Sequence, residues 1–248
     1  VKTENRYKKI EQLLNKNGSL SVKELAEIVD VSEATIRRDL AEMEKRSVIS
    51  RMWGGAKILE ESASNNVVNY SDEYLLRFSK NTHFKEELAK KACSLIKDGS
   101  TIFIDAGSTT SKMFDYLEGN DITVVTNSLY NIDKLASKNI QTFLPRGYVN
   151  FGSATILSME TAQDVASLNY DIVFLGTSGI DKQTGFTTRD IFDFNLKSTL
   201  IGRATKTYIV SDSSKFGLRR PYTFANIDDC TLICDKHPDF DVKDIIVI

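Results

Sequence analysis

Cysteine and histidine are scarce. Cys93, Cys230 and Cys234 are the only thiols in 248 residues, and His83 and His237 the only imidazoles. Three unevenly placed cysteines suit neither a disulfide framework nor a zinc site, so reduced, buried thiols in a cytoplasmic protein are expected. Two histidines argue against a catalytic metal, and no metal or other cofactor is expected. Nowhere do about 18 apolar residues run together, as a membrane span would need. The charged stretch Val1–Lys9 does not read as a signal peptide. Strong net charge is missing too, the formal value being −2. Taken alone that discourages a nucleic-acid reading, but its distribution matters more. Residues 1–58 hold 12 Lys+Arg against 9 Asp+Glu, and the remainder 20 against 25. Affinity for DNA would therefore depend on where the basic groups sit and on dimerisation.

What is present is enough for a large core. The hydrophobic fraction is 41%, ordinary for a globular chain, and the length exceeds one average domain. The spacing of Tyr7, Ile10, Leu13 and Leu14 predicts a helix over Asn5–Asn17, stopped by Gly18. Ser21 and Glu24 form a capping box for a second helix. There Val22, Leu25, Ala26 and Val29 recur at i, i+3, i+4 and i+7. Asp30-Val31 turns the chain, and Ser32 caps a third helix with Glu33 at its dipole. On that helix Ile36, Leu40 and Met43 share one side, whereas Ala34 and Arg38 point away, flanked by Thr35 and Arg37.

A buried helix that holds a second one proud of the surface is what major-groove reading requires. Small residues allow close approach, and Thr or Arg can reach bases or phosphates. The competing reading makes Arg37 and Arg38 a solvated face paired with Asp39, Glu42 or Glu44. Val48–Arg51 and Ala56–Ile58 are expected to pair as a wing, with Arg51 toward phosphates and Trp53 packing it to the helices. The residues expected to face DNA are Ser21, Ser32, Glu33, Ala34, Thr35, Arg37, Arg38, Arg51 and Gly54. The boundaries expected are 1–58 for this domain (helix-turn-helix 20–39, wing 47–58), 59–73 for a polar linker, and 74–248 for a second domain.

Tyr74–Ile96 is expected to be one helix, with Leu88, Ala89, Ala92, Leu95 and Ile96 on one side. From residue 100, short β-branched runs alternate with helical stretches. Strands are expected at Thr101–Asp105, Ile122–Thr126, Gln141–Leu144, Asp171–Leu175, Thr207–Ser211 and Thr231–Cys234. Helices are expected at Thr109–Leu117, Leu129–Ser137, Thr161–Ser167 and Phe194–Thr205. This alternation predicts a Rossmann-like, mostly parallel α/β sheet covered on both faces, with a ligand beyond the carboxyl ends of its strands. Four strand ends carry suitable groups. Gly107, Ser108, Thr109 and Thr110 offer a phosphate cradle at a helix start, and Lys215 offers charge. Asp105, Asn127, Ser128 and Asp181 offer partners for sugar hydroxyls.

Two sets of residues carry a family resemblance. The first is Val22-Lys23-Glu24-Leu25-Ala26, Val31 to Leu40, and Arg51-Met52-Trp53-Gly54-Gly55-Ala56. The second is Asp105 to Thr110, Val125 to Ser128, Phe174-Leu175-Gly176, Gly179-Ile180-Asp181, Gly185 to Thr188, Lys197, and Asp212 to Gly217. Arg77, Asn81 and Lys85 keep the family spacing as well. Together they resemble the DeoR family of bacterial transcriptional regulators over nearly the whole chain. The resemblance implies a winged helix-turn-helix followed by a sensor domain similar to the ribose-5-phosphate isomerase fold. It adds Lys197 to the expected effector-binding residues. It also implies double-stranded operator DNA and a phosphorylated sugar as partners, a homo-oligomer of two or four copies, and repression of a sugar-metabolism operon relieved by ligand. The chain departs from the family at Trp53, where His is usual, at Pro145-Arg146-Gly147, where Gly-Gly is common, and at Asn195, where Glu is common. Arg146 is expected to be a surface arginine, with a phosphate contact as the alternative. An aldose–ketose phosphate isomerase using Asp105 or Asp181 with Lys197 is the second functional reading, and a ligand-free DNA binder the third. Asn195 cannot serve such an enzyme as a base.

Overall fold

The computed structural model describes residues 2–17, 19–45, 49–52, 55–58, 72–118 and 121–248. The chain divides into two units, Val1–Val67 and Val68–Ile248. The expected linker falls almost wholly on 59–71, outside the described residues.

The first unit runs α1 (Lys2–Asn17), β1 (Ser19–Ser21), α2 (Val22–Val29), α3 (Glu33–Lys45), β2 (Ile49–Met52) and β3 (Gly55–Ile58). The apolar stripes read from the sequence meet in one core. Ile10 and Leu14 of α1, Val22 and Leu25 of α2, and Ile36, Leu40 and Met43 of α3 pack with Ile49 and Ala56. Each large aliphatic side chain so buried contributes about 1.5–3 kcal/mol. The wing has a third strand that the alternation did not announce, giving the order β1-β3-β2. Three residues of β1 are too few to show a period. Gly55 makes this sheet possible, because a Cβ there would lie 2.3 Å from the carbonyl oxygen of Leu20 across the β1–β3 pair.

In the second unit the expected helix over Tyr74–Ile96 is two helices, α4 (Asp72–Ser79) and α5 (Thr82–Cys93). Asn81 breaks them apart with a left-handed backbone, φ 54°, a region that Asn enters more readily than most residues. Its side-chain amide donates to Asp212 at 3.1 Å, which holds the break in place. The chain continues through β4 (Thr101–Ile104), α6 (Met113–Tyr116), β5 (Thr123–Thr126), α7 (Ile132–Ser137) and β6 (Gln141–Phe143). Next come β7 (Tyr148–Asn150), β8 (Thr155–Leu157), α8 (Met159–Ala166), β9 (Tyr170–Leu175), β10 (Gly179–Asp181) and β11 (Gly185–Thr188). Last are α9 (Ile191–Ile201), β12 (Ala204–Val210), β13 (Tyr222–Ala225), β14 (Thr231–Cys234) and β15 (Ile245–Val247). The expected helix over Thr109–Leu117 is a 3-10 turn, Thr110–Lys112, running into the single turn of α6.

Among the described residues one seven-stranded sheet has the order β15-β14-β12-β9-β4-β5-β6, and every pair in it is parallel. Alternate residues of β4 feed opposite faces. Ile102 and Ile104 pack with Leu88 and Ala92 of α5 and with Phe114 of α6. Phe103 packs on the other face with Val165 of α8 and Leu196 and Leu200 of α9. The antiparallel sheet β10-β11-β13, the hairpin β7–β8 and the edge strand β15 lie outside the expected list. Their strands are short, and β11 is buried throughout, so no alternation marks it.

Strand order locates the ligand end of the sheet. From β4 the chain winds outward through β5 and β6, then returns to the other side of β4 at β9 and winds away through β12, β14 and β15. The reversal falls between β4 and β9, where the loops leaving their carboxyl ends diverge and leave a crevice.

Candidate functional sites

In the first unit, Ser21 accepts from the Glu24 amide at 3.2 Å, and its own amide donates to the Glu24 carboxylate at 2.8 Å, completing the box. The α2–α3 turn is tightened by Asp30, left-handed at φ 60°, whose amide donates to the Ala26 carbonyl. Ser32 accepts from the Thr35 amide at 3.2 Å, and the two hydroxyls are 2.9 Å apart. Ile36, Leu40 and Met43 turn inward, which leaves Ser32, Glu33, Ala34, Arg37 and Arg38 exposed on one side of α3, with Thr35 half-buried.

Asp39, offered as a partner for these arginines, is taken by Arg6 of α1 through two contacts of 2.5 and 2.9 Å. Arg37 instead meets Glu33 at 3.3 Å, both more than half exposed, an arrangement worth little in water. Arg6 was missed because its acid is 33 residues distant. Ser21 is committed to its cap. Gly54, Trp53 and the side chain of Arg51 lie outside the described residues.

In the second unit, a cavity of about 490 Å³ opens at the β4–β9 reversal. Of the expected residues it is lined by Asp105, Gly107, Ser108 and Thr109 from the loop after β4, and by Asn127 after β5. Lys197 of α9 and Lys215 after β12 complete that group. Three expected residues do not line it. Thr110 is buried and donates to the Asp105 carboxylate. Ser128 is buried and accepts from the Asn131 side chain at 3.3 Å. Asp181 ties its own turn instead, accepting from the Thr184 amide at 2.9 Å and the Gln183 amide at 3.1 Å. Those bonds hold its carboxyl below the usual range.

Asp105 and Lys197 are also more deeply engaged than the sequence suggested. Asp105 accepts from the Gly107 amide at 3.0 Å and from the Gly176 amide at 2.8 Å, so one carboxylate joins the strand ends on either side of the crevice. Lys197 is 2.9 Å from Asp193, 3.3 Å from Asp105 and 2.9 Å from the Gly176 carbonyl. Burial opposes its charge, but the two carboxylates outweigh burial and hold it above the ordinary lysine value. Asp193 in turn accepts from Thr188 at 2.5 Å.

The sequence reading missed Asp193, although its place four residues before Lys197 on one helix was a signal. Also missed were Arg189 and the β7–β8 hairpin residues Asn150, Ser153 and Thr155, whereas Thr177 and Ser178 line the cavity at the strand end where the sequence displays them. Strands of three residues show no period that would announce a hairpin at this cavity. Arg77 and Lys85, noted only for their spacing, turn out to carry charge at this end. Arg77 lines the cavity. Lys85 is buried, donating to the carbonyl of Arg77 and to Ser108 Oγ at 3.2 Å. Arg146 is a surface arginine held by Asp164 at 2.6 Å, its side chain 75% exposed. Asn195 donates to the Met159 sulfur at 3.3 Å.

The described cysteines are free, Cys230 and Cys234 buried and Cys93 half-buried. Burial pushes the Cys93 and Cys230 thiols up to about 12. No described helix is long and apolar enough to cross a membrane.

Comparisons with known proteins agree with both halves. Residues 6–62 match the DeoR-like helix-turn-helix domain, and residues 80–236 match the DeoR C terminal sensor domain. The chain is 36% identical over 232 residues to the uncharacterized HTH-type transcriptional regulator FruR of Bacillus subtilis, covering 93% of this chain and 90% of that one. It is 33% identical to the HTH-type transcriptional regulator GolR of Listeria innocua, covering 86% and 82%. It is 29% identical to the lactose phosphotransferase system repressor of Streptococcus mutans, covering 96% and 94%. Among solved structures, ribose 5-phosphate isomerase A of Methanocaldococcus jannaschii is similar at a TM-score of 0.41, with 18% identity over 55% of each chain. The matching family and the curated relatives are transcriptional regulators, which sets the enzyme reading aside. The chain belongs to the DeoR family of helix-turn-helix transcriptional regulators.

Proposed function

We propose that this regulator represses a sugar-utilisation operon in the cytoplasm and is controlled by a phosphorylated sugar. Relatives named as a lactose phosphotransferase system repressor and an aga operon repressor support the class of operon. On this reading α3 lies in the major groove, with Ser32, Ala34, Thr35, Arg37 and Arg38 toward the bases and phosphates. Glu33 sets the position of Arg37, and Ser21, Arg51 and Gly54 lie along the backbone. Two or more copies bind together, because one short helix reads only a half-site.

The observation that carries the ligand reading is the mixed chemistry of the crevice lining. Ser108, Thr109, Arg77 and Lys215 line it, with Lys85 donating to Ser108, and such hydroxyls and cations favour a phosphate dianion. Asp105, Asn127, Asn150 and Thr188 line it as well, where neutral hydroxyls find donors and acceptors. A site that leaves such groups unpaired rejects the wrong epimer. Thr110 and Ser128 support these loops from behind, and Lys197 fixes the Asp105 and Asp193 carboxylates.

The test is operator retention against a panel of phosphorylated pentoses and hexoses. One or more should release the DNA, and Lys215→Ala should keep DNA binding while losing that response. Release by free sugars, or an unaltered response in Lys215→Ala, would overturn the reading.

A further inference from the structure

The inner face of α3 holds one residue that packing does not call for. Ile36, Leu40 and Met43 are buried there in the core of the first unit. Asp39, three residues after Ile36 and four before Met43, turns to the same side and is only 4% exposed. An apolar side chain at position 39 would continue the stripe, whereas a carboxylate loses hydration that only a well-placed cation replaces. Arg6 of α1 is that cation. Its Nε lies 2.5 Å and its Nη2 2.9 Å from the two carboxylate oxygens, and its side chain is 21% exposed.

A buried ion pair adds little stability over apolar side chains of like volume, but its geometry is exacting. Aliphatic contacts are non-directional, so Ile36, Leu40 and Met43 resist a roll of α3 about its axis only weakly. Two parallel N–H···O bonds from one planar group resist it directly. A roll of about 20° moves a side chain about 6 Å from the helix axis through about 2 Å, enough to break a hydrogen bond to a base edge. The helix that supplies the fork is itself tied down nearby. Lys9, three residues after Arg6 and so beside it on the surface of α1, donates through Nζ to the Ile28 carbonyl at 3.1 Å. Ile28 belongs to the last turn of α2. One edge of α1 therefore grips both helices of the helix-turn-helix.

We propose that the Arg6–Asp39 pair is a positioning device for DNA reading, fixing the rotation of α3 about its own axis and with it the sequence preference of Ala34, Thr35, Arg37 and Arg38. The inference rests on the reading of DNA by α3 and adds to it what aims the helix. The pair acts through α3 and makes no contact with DNA of its own, so it governs the choice between sequences and not the attraction to phosphates.

The test compares two duplexes, one selected from a random-sequence pool by the wild-type chain and one of scrambled sequence and equal composition. In the double variant Arg6→Met, Asp39→Leu, apolar side chains fill similar space, no charge is stranded and the net charge is unchanged. It should melt at about the wild-type temperature and bind the scrambled duplex with unaltered affinity and salt dependence. The ratio of the two affinities should fall about tenfold. Arg6→Lys keeps the charge without the fork and should lose part of that ratio. A wild-type ratio in the folded double variant, or in Arg6→Lys should the double variant fail to fold, would overturn the proposal. An equal loss on both duplexes with a shallower salt slope would make Arg6 a phosphate contact and overturn it as well. Reading by α3 stands or falls separately, on whether Arg37→Ala and Arg38→Ala lower the same ratio.

Discussion

At the scale of single residues, the crevice floor is an electrostatic assembly whose parts depend on one another. Lys197 lies between Asp105 and Asp193 with almost no exposed surface. Removing one member of a buried pair costs about 3–5 kcal/mol, because it strands the partner. Lys197→Ala should therefore lower stability by about that amount in urea denaturation at pH 7. Lys85 is the contrasting case. Burial, with Lys215, Lys112 and Arg77 nearby and only Asp212 opposing, brings it down from 10.5 to about 8. Between those values the unfolded chain holds a proton that the folded chain has released, so this group makes stability rise with pH across the window. A bound dianion favours the charged lysine. Phosphate affinity, measured calorimetrically, should fall as pH rises through about 8, and Lys85→Gln should flatten that decline. On α3, Arg38→Ala should weaken operator binding by about 1–3 kcal/mol if Arg38 forks onto a base. An equal loss on random DNA in the same titration would assign it to phosphate.

At the scale of elements, the first unit was legible because its signals are local. Caps at Ser21 and Ser32 and the stripe Val22, Leu25, Ala26, Val29 each lie within a few turns of chain, and the structure places α2 and α3 where they point. The break at Asn81 was not legible, since the apolar spacing of α5 continues past it and only a tertiary bond to Asp212 reveals it. Strand β1 was missed for the same kind of reason, because it exists through its pairing with β3. Gly55 is the point where that pairing is most exposed to substitution. Gly55→Val would bring a Cβ to 2.3 Å from the Leu20 oxygen, and displacement of the strand should cost about 1–3 kcal/mol. Urea titration should register that loss.

At the scale of the whole molecule, strand ends were readable while their convergence was only partly so. Asp105, Gly107, Ser108, Thr109, Asn127, Lys197 and Lys215 share a cavity because a reversal in strand order gathers loops that are far apart in sequence. Asp181 also stands at the end of a β-run, but β10 belongs to the small antiparallel sheet, which carries it elsewhere. Six strands of the parallel sheet were legible; the short antiparallel strand that carries Asp181 was not. A ligand that binds only the folded chain at about a hundred times its dissociation constant adds about 2.7 kcal/mol. The matching phosphate compound should therefore raise the melting temperature of wild type in a thermal-shift scan, with Lys215→Ala shifted less.

The central position of β4 has a consequence for how this chain matures. Thr101–Ile104 leaves the ribosome first among the strands of its sheet, yet one of its two neighbours is β9, about seventy residues later, across a junction sealed by the Gly176 amide on Asp105. Until that stretch has been synthesised, a strongly apolar ribbon has one flank open. Pairings of such long range are slow to form, so the nascent regulator passes through an interval of stickiness before it can sense anything.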